Sequence, residues 1–182
     1  LKYCNATDGN SYTFWAENDE AWVDLNASDP SGWHWVNKGQ EFIWISEKDG
    51  WRHIYKISRD GKTETLLTKG NYDIGDIKCI DEANNHIYFT ASPTNATQLY
   101  LYRVNIQKVN ILQKVKKIVS KPKPDPELVS SANLKGTHDY TISPNGKYAT
   151  HSFSNHNTPP VREWITLPDN KPINPAKSID ST

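Results

Sequence analysis

Residues 41–62 carry the clearest hydrophobic pattern in the chain. Phe42 and Trp44 alternate with Ile43 and Ile45, so this short segment is apolar on both faces, as a strand covered on both sides would be. A charged turn, Ser46-Glu-Lys-Asp-Gly50, separates it from a second apolar run, His53–Ser58. Arg59-Asp-Gly-Lys62 then predicts a tight hairpin turn, because Asp-Gly suits the positive φ angles that such turns need. Thr63–Thr68 follows as an outer strand of alternating polarity, and Gly32–Val36 supplies a preceding one. Four strands in about forty residues is the content of one propeller blade.

The pattern then returns. Asp76–Ile80, His86–Ser92 and Gln98–Ile106 read as three successive strands, with Val109–Val115 as a fourth. Phe42 and its equivalent Ile87 stand about 45 residues apart, a propeller-blade period. A third copy runs through Gly136–Ser143, Lys147–Ser154 and Arg162–Leu167, out of phase by about sixteen residues. The slip falls at 114–135, where early lysines, three prolines and a small polar run predict a long inter-blade loop. A basic binding patch is the other reading of that segment, and the acidic residues close behind it argue against it. Residues 1–31 are less regular, with a strand at Ser11–Trp15 and a turn over Glu17–Asp24.

The expected fold class is therefore all-β: a partial β-propeller of about three four-stranded antiparallel blades. Its segments are a partial blade at 1–31 and blades at 32–70, 71–115 and 136–175. A closed propeller takes about four to eight blades, so three would leave strand edges open to a neighbour, including a second copy of the chain.

Composition adds exclusions. Lys+Arg and Asp+Glu both total 21 in 182 residues, and this balance offers no electrostatic attraction for nucleic acid. No apolar run approaches the roughly 18 residues of a membrane span, and no signal-like segment opens the chain. The chain opens on Leu1 and contains no Met; a processed chain, an excised domain or replaced Met residues would each account for that. Cys4 and Cys79 lack partners at metal spacing and read as two separate thiols, with one disulfide as the alternative. Three N-x-S/T tripeptides occur, at Asn5, Asn26 and Asn95.

Candidate chemistry is sparse. G-x-S-x-G, the P-loop, G-x-G-x-x-G and H-E-x-x-H are all absent. The scattered histidines, His34, His53, His151 and His156 among them, read as strand residues hydrogen-bonded to backbone, so no metal or cofactor is expected. Asp19-Glu20 and Asp81-Glu82 are adjacent carboxylates in apparent turns, where solvated acids are routine. Trp33, Trp35, Trp44 and Trp51 would form either a stacking surface or the packing between sheets, the latter being commoner in strands. Nothing assembles a nucleophile, a base and an orienting group, so this chain is not expected to be catalytic alone.

Trp44-Ile-Ser-Glu-Lys-Asp-Gly-Trp-Arg-His-Ile-Tyr55 resembles a signature of the β-propeller in the dipeptidyl peptidase IV family. Leu66–Gly70, Ile87–Ser92, Leu101–Val104, Gly136–Tyr140, Ile142–Lys147 and Asn157–Pro160 are similar to the elements that follow, in the same order. The resemblance implies the last blades of an eight-bladed N-terminal propeller, followed by an α/β-hydrolase domain carrying a Ser–Asp–His triad. That parent would remove dipeptides or tripeptides from peptide N-termini and would be secreted, periplasmic or at the cell surface. The family's paired glutamates have no matching motif here. The segment after Ala21-Trp-Val23 corresponds to a loop that in relatives reaches the cavity, which makes Trp22, Asp24 and Asn26 the substrate-lining candidates. The aromatic–arginine pair of that loop is absent from Asp24-Leu-Asn-Ala-Ser-Asp29. The expected role is non-catalytic, shaping and gating a peptide cavity beside the hydrolase domain. A stand-alone propeller that binds proteins or glycans is the alternative.

Overall fold

A computed structural model describes residues 1–23, 33–107 and 126–173. They divide into two compact units, Leu1–Lys69 and Gly70–Gln107 with 126–173, each considered separately. Among the described residues no helix is long and apolar enough to cross a membrane.

The first unit opens with a hairpin. β1 (Lys2–Cys4) pairs antiparallel with β2 (Ser11–Thr13), Tyr3 facing Tyr12. The sequence pattern predicts only the second of these strands, because Lys-Tyr-Cys is too short to show a period. A four-stranded meander follows: β3 (Trp33–Val36), β4 (Glu41–Ser46), β5 (His53–Ser58) and β6 (Glu64–Leu66). Its centre is buried on both faces, as the alternation of Phe42, Trp44, Ile43 and Ile45 requires. Phe42, Trp44, Tyr55 and Ile57 join Trp15 in one cluster, while Ile43 and Ile54, on the opposite face, are also fully buried.

Two glycines close the β4–β5 and β5–β6 turns in the left-handed region, Gly50 at φ 90° and Gly61 at φ 70°. Their surroundings differ. A Cβ on Gly50 would meet open space, whereas one on Gly61 would overlap the Phe14 carbonyl.

The second unit holds two sheets. β7 (Ile74–Asp81), β8 (His86–Ala91), β9 (Tyr100–Asn105) and β10 (Glu127–Leu128) form one antiparallel sheet in that order. β11 (Thr137–Ile142), β12 (Tyr148–Asn155), β13 (Thr158–Thr166) and β14 (Lys171–Pro172) form the other. Tyr88, Leu101 and Val129 pack with Tyr140, Ala149, Ile165 and Leu167 in a core shared by the two sheets. A parallel bridge between Leu99 and Thr137 joins them, and Lys78 on β7 reaches Asp139 on β11 at 2.9 Å.

The loop expected over 114–135 needs correction at its end, since Glu127–Leu128 is a strand on the edge of β9. Arg103 holds it there, donating from Nε and an Nη to one Glu127 oxygen at 3.0 and 2.9 Å. The Ser130 hydroxyl accepts from the Leu101 amide at 2.6 Å. These are contacts between residues far apart in sequence, and a two-residue strand has no period to read. The Val109–Val115 strand expectation lies outside the described residues. β13 begins at Thr158, earlier than the expected Arg162, and includes Pro159 and Pro160. A register irregularity between Phe153 and Asn155 opens the ladder there, so the prolines' missing N–H groups are tolerated. Cys4 and Cys79 are both free thiols.

The glycine pair gives a comparative prediction. Gly61→Ala combines a strained φ with a backbone overlap and is expected to cost more than 2 kcal/mol or so, against about 1 kcal/mol for Gly50→Ala. Denaturant midpoints of the two variants measured side by side test that order.

Candidate functional site

The candidate segment leaves β2 through Phe14, Trp15 and Ala16, and its position is set by a carboxylate. Glu17 accepts the Trp44 indole N–H at 2.7 Å and the Ser46 hydroxyl through its other oxygen. Trp44 and Ser46 are on the same face of β4, two residues apart, so a single carboxylate spans both. Two residues further on, the Asp19 carboxylate accepts the Ala21 and Trp22 amides at 2.8 and 3.2 Å. These backbone bonds hold the Asp19 carboxyl below the ordinary carboxylate range. The turn they build leaves Trp22 with 81% of its surface exposed. A large indole so open to water is unusual in a folded domain. Asp24 and Asn26, the other two candidates, lie outside the described residues.

Beneath this segment lies a polar frame. Glu64 accepts the Trp15 indole N–H at 3.0 Å and pairs with the Lys48 ammonium. Burial works to raise the Glu64 carboxyl, but the Lys48 and Trp15 donors outweigh it and hold it below its ordinary value. Lys48 also lies over the Tyr55 ring, 4.2 Å from its centroid. Asp49 takes His53 Nδ1 at 2.9 Å; burial raises its carboxyl, the His53 contact lowers it, and the net direction is down. Tyr55 is raised, by burial first and by the Asp49 charge second, so its phenol stays neutral.

The tryptophans divide between packing and exposure. Trp44 is buried in the sheet core, Trp35 is half-buried with its ring centroid 5.4 Å from that of Phe42, and Trp33 and Trp51 remain exposed. Arg59 lies over both Tyr3 and Trp35, 5.2 and 5.3 Å from the ring centroids, and donates to the Gly39 carbonyl at 2.9 Å. Asp81 is buried as a turn cap, accepting the Asn84 backbone and side-chain amides at 3.1 and 2.7 Å. The three buried histidines differ from expectation, because their partners include side chains: His53 meets Asp49, His151 meets Glu163, and His138 meets His151. Nothing in one sequence separates such pairs from backbone-bonded strand histidines. No group of three or more His, Cys, Asp or Glu side chains among the described residues is placed to hold a metal. Burial raises the half-buried Cys79 thiol, and the nearby Asp81 charge adds to this, so it is a poor nucleophile.

The dipeptidyl peptidase IV (DPP IV) N-terminal region family matches residues 1–160. The chain belongs to that family. Among its curated relatives are dipeptidyl peptidase 4 of Trichophyton equinum, 27% identical over 167 residues, and that of Trichophyton rubrum, 28% identical over 167 residues. Either alignment covers 91% of this chain and 19% of the relative, so the chain spans about a fifth of their length. The crystal structure of Porphyromonas gingivalis dipeptidyl peptidase 4 superposes with a TM-score of 0.72 at 19% identity, covering 94% of this chain and 21% of that one. That likeness concerns the fold, and it supports a partial N-terminal propeller. The chain is thus a segment of a dipeptidyl-peptidase-type protein.

Glu17 and Glu64 yield a prediction each. Glu17→Ala leaves the Trp44 indole and Ser46 hydroxyl without their acceptor; a loss of about 1–3 kcal/mol is expected, with faster protease cleavage between residues 18 and 23. Glu64 is lower in the folded state than in the unfolded one, so its contribution is present above the ordinary carboxylate range and lost as pH falls through the folded value. Urea unfolding of the chain from neutral pH downward should show a shallower acid loss for Glu64→Gln than for the parent.

Proposed function

We propose that this chain is a non-catalytic propeller segment of a serine-type dipeptidyl or tripeptidyl peptidase, and that it shapes and gates the cavity through which peptide N-termini reach a separate nucleophile. The observation that carries this reading is the anchored segment ending in exposed Trp22. An exposed aromatic on a backbone-anchored turn suits contact with an extended peptide, since an indole covers apolar side chains and proline rings with little entropy to lose. Asp24 and Asn26, which follow in sequence and lie outside the described residues, remain substrate-lining candidates by the family resemblance alone. Family membership and the short share of the relatives' length support a partner α/β-hydrolase domain in the same protein, which would supply the Ser–Asp–His triad. The whole protein would act outside the cytoplasm, as a secreted, periplasmic or cell-surface enzyme.

The test uses the full reading frame alongside this chain. The full protein is expected to release dipeptides from a Gly-Pro-type reporter and the isolated chain to show no turnover. Trp22→Ala in the full protein should raise KM for peptides roughly three- to tenfold with kcat little changed, as loss of uniform binding requires. Turnover by the isolated chain that a serine-directed inhibitor abolishes, or a reading frame with no G-x-S-x-G downstream, would overturn the proposal.

A further inference from the structure

In the second unit two histidines lie edge to edge inside the protein. His138 on β11 is 0% exposed and His151 on β12 is 4% exposed, with ring centroids 5.1 Å apart and planes within 8° of parallel. Three hydrogen bonds run through them in series. His138 Nε2 meets the Leu134 carbonyl at 2.7 Å, His138 Nδ1 meets His151 Nε2 at 2.9 Å, and His151 Nδ1 meets Glu163 Oε1 on β13 at 2.9 Å. Turning either ring over would set carbons against these partners, so the ring orientations follow from the contacts.

The chain ends in an acceptor on both sides, a carbonyl at one end and a carboxylate at the other. Three bonds need three protons, and two neutral imidazoles supply two. The series therefore closes only with one additional proton. Burial disfavours a charged His138, whereas His151 is in direct contact with the Glu163 carboxylate, whose side chain is 37% exposed and keeps its charge hydrated. The additional proton belongs to the His151–Glu163 contact at the open end of the series.

Among the described residues the side chains that lie against the pair on this side of the sheet are aromatic. Tyr100 from β9 lies 5.2 Å from the His138 ring, Phe153 from β12 lies 4.9 Å from it, and Tyr140 from β11 stacks 4.6 Å from His151. The Tyr140 phenol, pushed up to about 12 chiefly by burial, stays neutral and donates to Ser130 Oγ. Asp139 and Arg162 alternate to the opposite faces of β11 and β13, and Asp139 is held by Lys78.

We propose that His138, His151 and Glu163 form a proton-dependent clasp tying the 134–135 segment to β11, β12 and β13, intact while the additional proton is bound and broken when it leaves. Without that proton one contact of the series sets two acceptors against each other, and Glu163, 37% exposed, is the partner able to turn to water, which opens the clasp at β13. The folded state binds a proton that an unfolded histidine releases above about pH 6.5, so the clasp's contribution is full below that range and lost as pH rises. His138, kept neutral by burial, acts in the opposite sense and opposes folding as pH falls below the same range. The clasp is thus closed within a band of pH around the histidine range.

Long-range nitrogen–proton NMR of the labelled chain counts the ring protons directly. Three protonated ring nitrogens across His138 and His151 at pH 7 are expected; two, with the fold intact, would overturn the proposal. Glu163→Gln provides the second arm, because its amide N–H donates to a bare His151 Nδ1 and satisfies the series without the additional proton. In urea unfolding, the parent's folding constant should fall by up to about tenfold per pH unit above the histidine range. Glu163→Gln should lack that alkaline fall, and a variant that retains it in full would overturn the clasp. Should the variant not fold, the proton count in the parent decides alone.

Discussion

Everything in this chain depends on central strands that are apolar on both faces. β4, β5 and β8 bury most of the side chains they carry and leave none fully exposed. A strand of that kind has no solvent face, so each sheet must be covered on both sides. In the second unit Leu101 and Tyr88 from one sheet meet Tyr140 and Ile165 from the next, and this core aligns the two sheets. In the first unit Trp15 closes over Phe42 and Trp44, which fixes the path of the chain as it enters the irregular segment. Each fully buried side chain of this size is worth about 1.5–3 kcal/mol, far more than any exposed ion pair in the molecule.

The polar groups are arranged around that apolar demand. Trp15 and Trp44 are covered by packing, yet each keeps an indole N–H that needs an acceptor, and Glu64 and Glu17 provide them. The same bond that satisfies Trp44 also holds the base of the segment carrying Trp22. Stability and the presentation of a candidate contact residue therefore share one carboxylate. The His138–His151 pair follows the same logic inside the second unit, where closing a buried polar series binds a proton into the fold.

Much of this organisation was legible beforehand. The hairpin at 41–58 shows in sequence because its apolar alternation and its Asp-Gly turns are local signals. The return of the pattern from Ile87 and again from Tyr140 shows for the same reason. β1 and β10 were not legible, being two or three residues long and recruited to their neighbours by Arg103, Ser130 and the Tyr3–Tyr12 pairing. Among the candidate residues, Trp22 was chosen by likeness to a family loop. Its exposure depends on Asp19 capping two amides, a contact with no pattern of its own.

Residue order alone establishes the all-β class, the blade-like period, the hairpin turns and the family, since these rest on neighbours within a few positions. It also establishes that no hydrolase motif lies within these residues. Which strand completes β9, which carboxylate meets which indole, and whether a histidine binds backbone or another ring were decided in three dimensions. The partners in those contacts lie 12 to 49 residues apart. Their meeting depends on the stacking of whole sheets, and no local preference encodes it.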